Sequence, residues 1–279
     1  MIKNILVTLD DSESSISAKK LGVALAKEHK AVVTGIGVLD QPWIAAPEAI
    51  PLGGAAFKVE LDEKLLQDTR RRVHKLEKEF TAFCKAEKVD STIIDATGVP
   101  SYEIEYFAIV HDLLIIGKDA TFHFTSTEET GVSVKQIIRD NPLPVIVTSP
   151  TIPYEKSSSI LVAFDGTFAS SRALHMAILV GILKGKEVHI AHVNSNEKEA
   201  KSIVEIAVKL CANHGIKAKG HPLKTSEKPA SALLKLSEEI EPALIVMGAF
   251  GHAGISYLFM GSCAKTLLRT TNIPLFIYH

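Results

Sequence analysis

Leu244-Ile245-Val246-Met247-Gly248-Ala249-Phe250-Gly251 is followed, after nine further residues, by Gly261-Ser262. An apolar run stops at a glycine, a second glycine comes three positions on, and a Gly-Ser pair opens the next helical pattern. This spacing predicts a buried strand that empties into a glycine loop and then into a helix N-terminus. Main-chain N–H groups converge at such a turn, and glycine lets an anion approach the backbone. The chemistry on offer is the holding of negatively charged oxygens, phosphate above all.

The elements that must position this loop are written twice. Ile5-Leu6-Val7-Thr8-Leu9-Asp10-Asp11-Ser12 returns 155 positions later as Ile160-Leu161-Val162-Ala163-Phe164-Asp165-Gly166-Thr167. Val38 and Val193 close the second apolar run at the same offset. Cys84 matches Cys211 at 127, Pro100 matches Pro229 at 129, and Gly117 matches Gly248 at 131. Gly131 with Gly261 and Pro144 with Pro274 both stand at 130. Internal repetition of this kind predicts two units of one topology.

Each copy reads as strand and helix in alternation, closing on a fifth strand. Short Val/Ile/Leu runs without alternation predict strands buried on both faces, as in a parallel sheet covered by helices. The expected fold is α/β, with two open five-stranded parallel sheets flanked by helices. In the second copy the strands are expected near 159–164, 187–193, 217–222, 243–247 and 274–278. Thr167 or Ser170 is placed to cap the helix through Arg172-Ala173-Leu174, and Gly185 sits where that helix should end. The polar run 149–158, with Pro150 and Pro153, predicts a linker between domains at 1–149 and 157–279. The step in offset leaves 28 extra residues in the first copy, about Gln41 to Arg70. They begin loop-like and turn into a charged amphipathic helix, read as a solvated surface helix or, alternatively, a lid or partner surface.

With the upstream aspartate in place, Gly-x2-Gly-x9-Gly-Ser after a strand resembles the ATP-binding signature of the universal stress protein family. The resemblance extends over both copies. It implies two adenine nucleotide alpha hydrolase-like, Rossmann-like domains arranged as a dimer joined in one chain. In an open parallel sheet, ligands bind beyond the carboxyl ends of the strands, where strand order reverses. Carried over by position, the resemblance assigns Ala163, Phe164 and Asp165 to adenine and ribose, and main chain at Val193 to the adenine edge. It assigns Gly248, Gly251, Gly261, Ser262 and Cys263 to the phosphates of ATP, with Mg as their companion. His252, inside the loop, is a further candidate donor to phosphate.

Each residue also has a plainer reading. Asp165 could serve as a turn residue, and Gly248 and Gly251 as turn glycines; Ser262 is expected to cap the following helix in either case. Cys263 reads as a small packing residue rather than a nucleophile. The chain departs from the family pattern at Ala249-Phe250, where a polar or basic residue is common, and at Ala264, where Ser or Thr is common. Loss of one donor costs about 0.5–1.5 kcal/mol, which weakens binding without abolishing it.

In the first copy, Gly117-Lys118-Asp119-Ala120 has alanine for the second glycine, and Gly131-Val132 replaces Gly-Ser behind Glu128-Glu129. A Cβ where phosphate must approach, a lost hydroxyl and two nearby carboxylates all oppose a triphosphate. The first copy is expected to be degenerate, although Asp10 and Val38 keep the framework of a cleft.

Composition narrows the field further. Hydrophobic residues make up 46% and charged residues 23% of 279, the balance of a chain with an ordinary core. Residues 1–150 carry 17 Lys+Arg against 22 Asp+Glu, a net −5; the remainder carries 14 against 10, a net +4. The positive half suits an anionic ligand, but neither is basic enough to argue for nucleic acid. No apolar run of 18 residues argues for a membrane span, and the opening lacks the layout of a secretory signal. Three cysteines fit a reducing compartment, so a cytoplasmic location is expected.

Several enzyme signatures are missing. Gly181 to Lys186 is one residue short of a Walker A loop, and no Gly-x-Ser-x-Gly elbow occurs. Cys211-x2-His214 lacks the two further ligands of a structural zinc site and reads as a helix end. No water-activating carboxylate or arginine finger is evident near the loop. The first functional reading is therefore a nucleotide-binding stress or regulatory protein. A slow ATPase or phosphotransferase on the same scaffold is the second, and a surface-acting scaffold without nucleotide the third. The apolar terminal runs Val145-Ile146-Val147 and Leu275-Phe276-Ile277-Tyr278 are expected to carry self-association, giving a homodimer of tandem chains.

Overall fold

Runs of Val, Ile and Leu with no polar face become strands covered on both sides. The computed structural model describes residues 1–47, 49, 51, 54–122, 132–151, 157–249 and 260–279. They divide into two compact units, Lys3–Pro142 and Leu143–His279, the latter including Met1–Ile2.

The first unit contains β1 (Asn4–Leu9), α1 (Glu13–His29), β2 (Val32–Leu39), α2 (Gln41–Ile44), α3 (Ala55–Ala86), β3 (Ser91–Thr97), α4 (Pro100–Ala108), β4 (Leu113–Gly117) and α5 (Val132–Asp140). Its strands lie in the order β3-β2-β1-β4, all parallel. Ile5, Leu6 and Val7 in β1 and Leu113 to Ile116 in β4 are fully buried. α1 packs on β1 and β4, and α3 on β2 and β3.

The second unit contains β5 (Val145–Thr148), β6 (Ser159–Ala163), α6 (Phe168–Val180), β7 (Glu187–Asn194), α7 (Glu197–Asn213), β8 (Ala218–Lys224), α8 (Pro229–Ile240), β9 (Leu244–Gly248), α9 (Ser262–Thr270) and β10 (Leu275–Tyr278). The order is β5-β10-β9-β6-β7-β8. β6, β7, β8, β9 and β10 are parallel to their neighbours in that series. β5 alone runs antiparallel, pairing Val147 with Leu275, Ile146 with Phe276 and Val145 with Ile277. The fifth strand of the first repeat thus clusters with the second unit.

That pairing corrects the route expected for self-association. The two apolar terminal runs face each other within one chain, so their shared edge is already hydrogen-bonded. A homodimer of this chain would need another surface.

Local capping follows the repeat. Ser12 caps α1 by accepting from the Ser15 N–H at 3.1 Å, and Thr167 caps α6 by accepting from the Ser170 N–H at 3.3 Å. Of the two candidate caps for α6, Thr167 is the one used. Gly185 does not end that helix. The end is Gly181, at φ 83°, a left-handed conformation in which glycine carries no Cβ penalty. Gly185, at φ 75°, closes the turn that follows.

The extra residues of the first copy add the short helix α2 and lengthen the helix that follows it. α3 runs for 32 residues where its counterpart α7 has 17. Its first turns expose Phe57, Val59 and Leu61 among the charges. No helix among the described residues is long and apolar enough to cross a membrane.

Candidate functional site

In the second unit β6 lies between β7 on one side and β9 on the other. The chain leaves β6 toward β7 and returns to β9, so strand order reverses at β6 and a crevice opens beyond the carboxyl ends. A cavity of about 480 Å³ lies there. Its wall takes Ala163, Phe164 and Asp165 from the end of β6 and Val193 from β7. Gly248 comes from β9, and Gly261, Ser262 and Cys263 from the start of α9. Three segments distant in sequence therefore meet at one place. Gly251 and His252 lie outside the described residues.

Asp165 is exposed, and its Oδ1 accepts from the Thr167 N–H at 3.0 Å and the Thr167 hydroxyl at 2.6 Å. The same carboxylate that shapes the turn into α6 therefore also lines the cavity. The two glycines differ in what demands them. A Cβ on Gly248 would lie 2.6 Å from the carbonyl carbon of Ala169 and 2.7 Å from the Ser170 nitrogen. Glycine at 248 thus lets β9 pass under the first turn of α6. A Cβ on Gly261 would meet nothing nearer than the Ala249 carbonyl oxygen at 3.7 Å, an ordinary contact. Nothing in the described protein requires glycine at 261.

Ser262 does not cap α9. The cap position is Gly261, no side chain bonds to the cap, and Ser262 is the first helical residue. The Gly261 N–H donates to the Ala249 carbonyl at 2.9 Å, and the Gly261 carbonyl accepts from the Lys265 N–H at 3.0 Å. A helix start without a side-chain cap presents N–H groups and the positive end of its dipole to whatever lies in front of it. Cys263 follows, its thiol pushed up to about 11 by burial and by the nearby Asp165 carboxylate. It is protonated at neutral pH and therefore a poor nucleophile.

His192, which the sequence reading passed over, also lines the cavity. It is 7% exposed, and its Nδ1 lies 3.0 Å from the Phe164 carbonyl oxygen. A carbonyl only accepts, so Nδ1 is the donor, and in the tautomer with a single ring proton Nε2 is an acceptor. That Nε2 is buried and has no hydrogen-bond partner among the described residues. One of two histidines in a mostly apolar strand, it gave no periodic or motif signal. Among the described residues lining the cavity, Asp165 and Glu199 are the acidic ones and there is no lysine or arginine.

At the described counterparts in the first copy the chain is buried, while Glu128, Glu129 and Gly131 lie outside the described residues. Asp10, the counterpart of Asp165, is 3% exposed, and Val38, the counterpart of Val193, is fully buried. Ile44 and Phe122, which follow β2 and β4, are buried as well. The Asp119 N–H, in the segment after Gly117, donates to the Ser14 hydroxyl at 3.1 Å and so is already satisfied. Asp10 does line a cavity of about 360 Å³, but with Lys19, Arg72 and Leu76 of α1 and α3, not with Val38 or Gly117.

Fold and crevice together define an α/β protein of Rossmann-like topology, built twice, with its open ligand-sized cavity in the second unit. Residues 157–279 match the model of the Universal stress protein family. The chain is similar to Universal stress protein Slr1230 of Synechocystis sp. (strain ATCC 27184 / PCC 6803 / Kazusa), at 24% identity over 290 aligned positions covering 99% of this chain and 100% of that one. Universal stress protein YxiE of Bacillus subtilis (strain 168) is 25% identical over 146 residues, 43% of this chain and 97% of its own length. In fold, the chain resembles a universal stress protein from Archaeoglobus fulgidus DSM 4304, with a TM-score of 0.69 at 20% identity and 98% and 97% of the two chains covered. The family match thus lies in the second unit, from residue 157 to its end, and the likeness to Slr1230 and to the Archaeoglobus fold extends over both units.

Proposed function

We propose that the second unit binds an adenine nucleotide, ATP in the first instance, and that its occupancy makes the chain a regulatory protein of the stress response. The observation that carries this reading is the start of α9. There a helix N-terminus with no side-chain cap among the described residues borders the cavity behind a glycine that no described neighbour requires. Backbone access for an anion explains a glycine in open space; packing does not. The residues present fit the ligand in other respects. Apolar wall at Ala163, Phe164 and Val193 suits a purine, and the orphaned acceptor of His192 suits a ligand that brings a donor such as an amino group. Asp165, at the end of β6, suits the ribose hydroxyls, and Mg would come with the phosphates. With no cationic side chain among the described lining, binding is better supported than rapid phosphoryl transfer.

Melting of the full-length protein with and without ATP tests this. At about 100 times the dissociation constant, ATP adds about 2.7 kcal/mol. That corresponds to a rise of roughly 5–11 °C for a chain of this size. Gly261→Val is expected to melt like the parent without nucleotide and to lose the rise. A wild-type protein indifferent to millimolar ATP, ADP and AMP would reject the proposal.

A further inference from the structure

The first unit holds a group of side chains that the nucleotide reading does not use. His74 and Glu77 stand one turn apart on α3, and Asp95 lies on β3 beneath them. One imidazole nitrogen and one oxygen from each carboxylate lie within 4.8 Å of one another. His74 Nε2 and Asp95 Oδ2 are 3.2 Å apart. Two ligands on a tetrahedral zinc ion, with bonds of about 2.0–2.1 Å, are separated by roughly 3.3 Å.

Glu77 is the unusual member. It is 8% exposed, and its Oε1 is buried without a hydrogen-bond partner among the described residues. An ionised carboxylate left in that state is costly unless a charge meets it. The fold makes room for it. Gly37 on β2 is the direct cross-strand partner of Asp95, and a Cβ there would lie 2.8 Å from Glu77 Oε1. Burial and the Asp95 charge both raise the Glu77 pKa, while His74 lowers it. His74 and Asp95 are half-exposed, which leaves water free to complete a coordination shell.

The second repeat provides an internal control. At the offsets that align the strands and α3 with α7, positions 37, 74, 77 and 95 become His192, Lys201, Val204 and Pro222. The register agrees, since His192 pairs with Pro222 as Gly37 pairs with Asp95. A lysine, a valine and a proline cannot replace the three ligands. One architecture thus carries the cluster in the first copy and not at the matching positions of the second.

We infer that His74, Glu77 and Asp95 form a binding site for a divalent cation of the zinc class. One imidazole with two carboxylates suits Zn²⁺ or Co²⁺, whereas Mg²⁺ favours an all-oxygen shell. The site is distinct from the cavity of the second unit and does not depend on nucleotide.

The test uses full-length protein stripped with chelator and titrated, without nucleotide, with ZnCl₂ by calorimetry and with CoCl₂ by visible absorption. One equivalent of Zn²⁺ is expected, together with Co²⁺ bands of low-symmetry N/O coordination, and MgCl₂ should not compete. Glu77→Gln keeps the shape and removes the charge, and is expected to weaken Zn²⁺ by at least about 100-fold, beyond the 10–100-fold typical of an outer-shell partner. Asp95→Asn, at the exposed rim where folding is not at risk, should do likewise. Absence of stoichiometric binding, or Zn²⁺ affinity unchanged in both variants, would overturn the assignment.

Discussion

Gly248→Ala is expected to lower the melting temperature by roughly 6–12 °C, while Gly261→Ala leaves it where it was. The methyl group at 248 would press on main-chain atoms of Ala169 and Ser170, at 2.6 and 2.7 Å, and on the Ala169 Cβ at 2.8 Å. No side-chain rotation relieves a clash with backbone, so β9 or α6 must move. Overpacking costs 1–3 kcal/mol where side chains can give, and this contact belongs at the top of that range, about 3 kcal/mol. Gly117→Ala should fall between the two. Its nearest obstacle is the Ser14 hydroxyl at 2.5 Å, which can rotate, although Ser14 and Ser15 backbone atoms remain at 2.9 Å. Thermal or urea unfolding of the three variants gives the order 248, then 117, then 261. Equal stability of the 248 and 261 variants would show that packing does not set the glycine at 248.

This series also separates two roles that one motif concealed. Gly248 and Gly261 read alike in sequence, as parts of one phosphate-binding pattern. In the structure the first is required by helix–strand contact and the second by nothing in the described chain. Loss of ATP binding in a Gly248 variant would therefore follow from a disturbed fold, whereas the same loss in a Gly261 variant reports on the ligand. A single sequence cannot make that distinction, because steric demand depends on what lies across the contact.

What was legible came from burial. Strands covered on both faces leave uninterrupted Val/Ile/Leu runs, so β6, β7, β8, β9 and β10 fall within a residue or two of their expected positions. The repeat was legible because each copy puts its aspartate and glycine at strand ends. Strand neighbours were less accessible: β5 and β10 are both short apolar runs, and nothing in either says that they pair with each other, or that they do so antiparallel. Helix ends misled where two glycines stood four apart, since Gly181 and Gly185 both adopt positive φ and only one terminates α6. The cluster at His74, Glu77 and Asp95 was hidden because it spans a helix and a strand 18 residues downstream of Glu77, and its decisive property, an orphaned buried oxygen, has no sequence signature.

Asp10 and Asp165 show how far identical motifs can diverge, and the difference is measurable. Asp165 is exposed, whereas Asp10 is buried with Oδ1 accepting from the Ser12 N–H at 2.7 Å and Oδ2 without a partner among the described residues. Burial raises the Asp10 pKa from 3.8 to about 7, against the lowering effect of the Ser12 hydrogen bonds, and Asp11 and Asp119 add to the rise. The folded state therefore holds this proton more tightly than the unfolded chain. Its favourable contribution is complete below pH 4, is lost as pH climbs toward 7, and stays lost above. The gap corresponds to about 4 kcal/mol of destabilisation at pH 8. Asp10→Asn retains the acceptor for Ser12 and cannot ionise, but it leaves an amide N–H₂ in place of the orphaned oxygen at a cost of about 1–3 kcal/mol. The variant is expected to be more stable than the parent by about 1–3 kcal/mol at pH 8. Near pH 4, where the parent's Asp10 is protonated in the fold, the sign should reverse and the variant be the less stable by about 1–3 kcal/mol. Urea unfolding of both proteins across pH 4–8 reads the difference directly, because every other titrating group cancels. Two parallel pH profiles would mean that Asp10 is ionised in the folded protein, and that the cleft of the first copy is wetter than its burial implies.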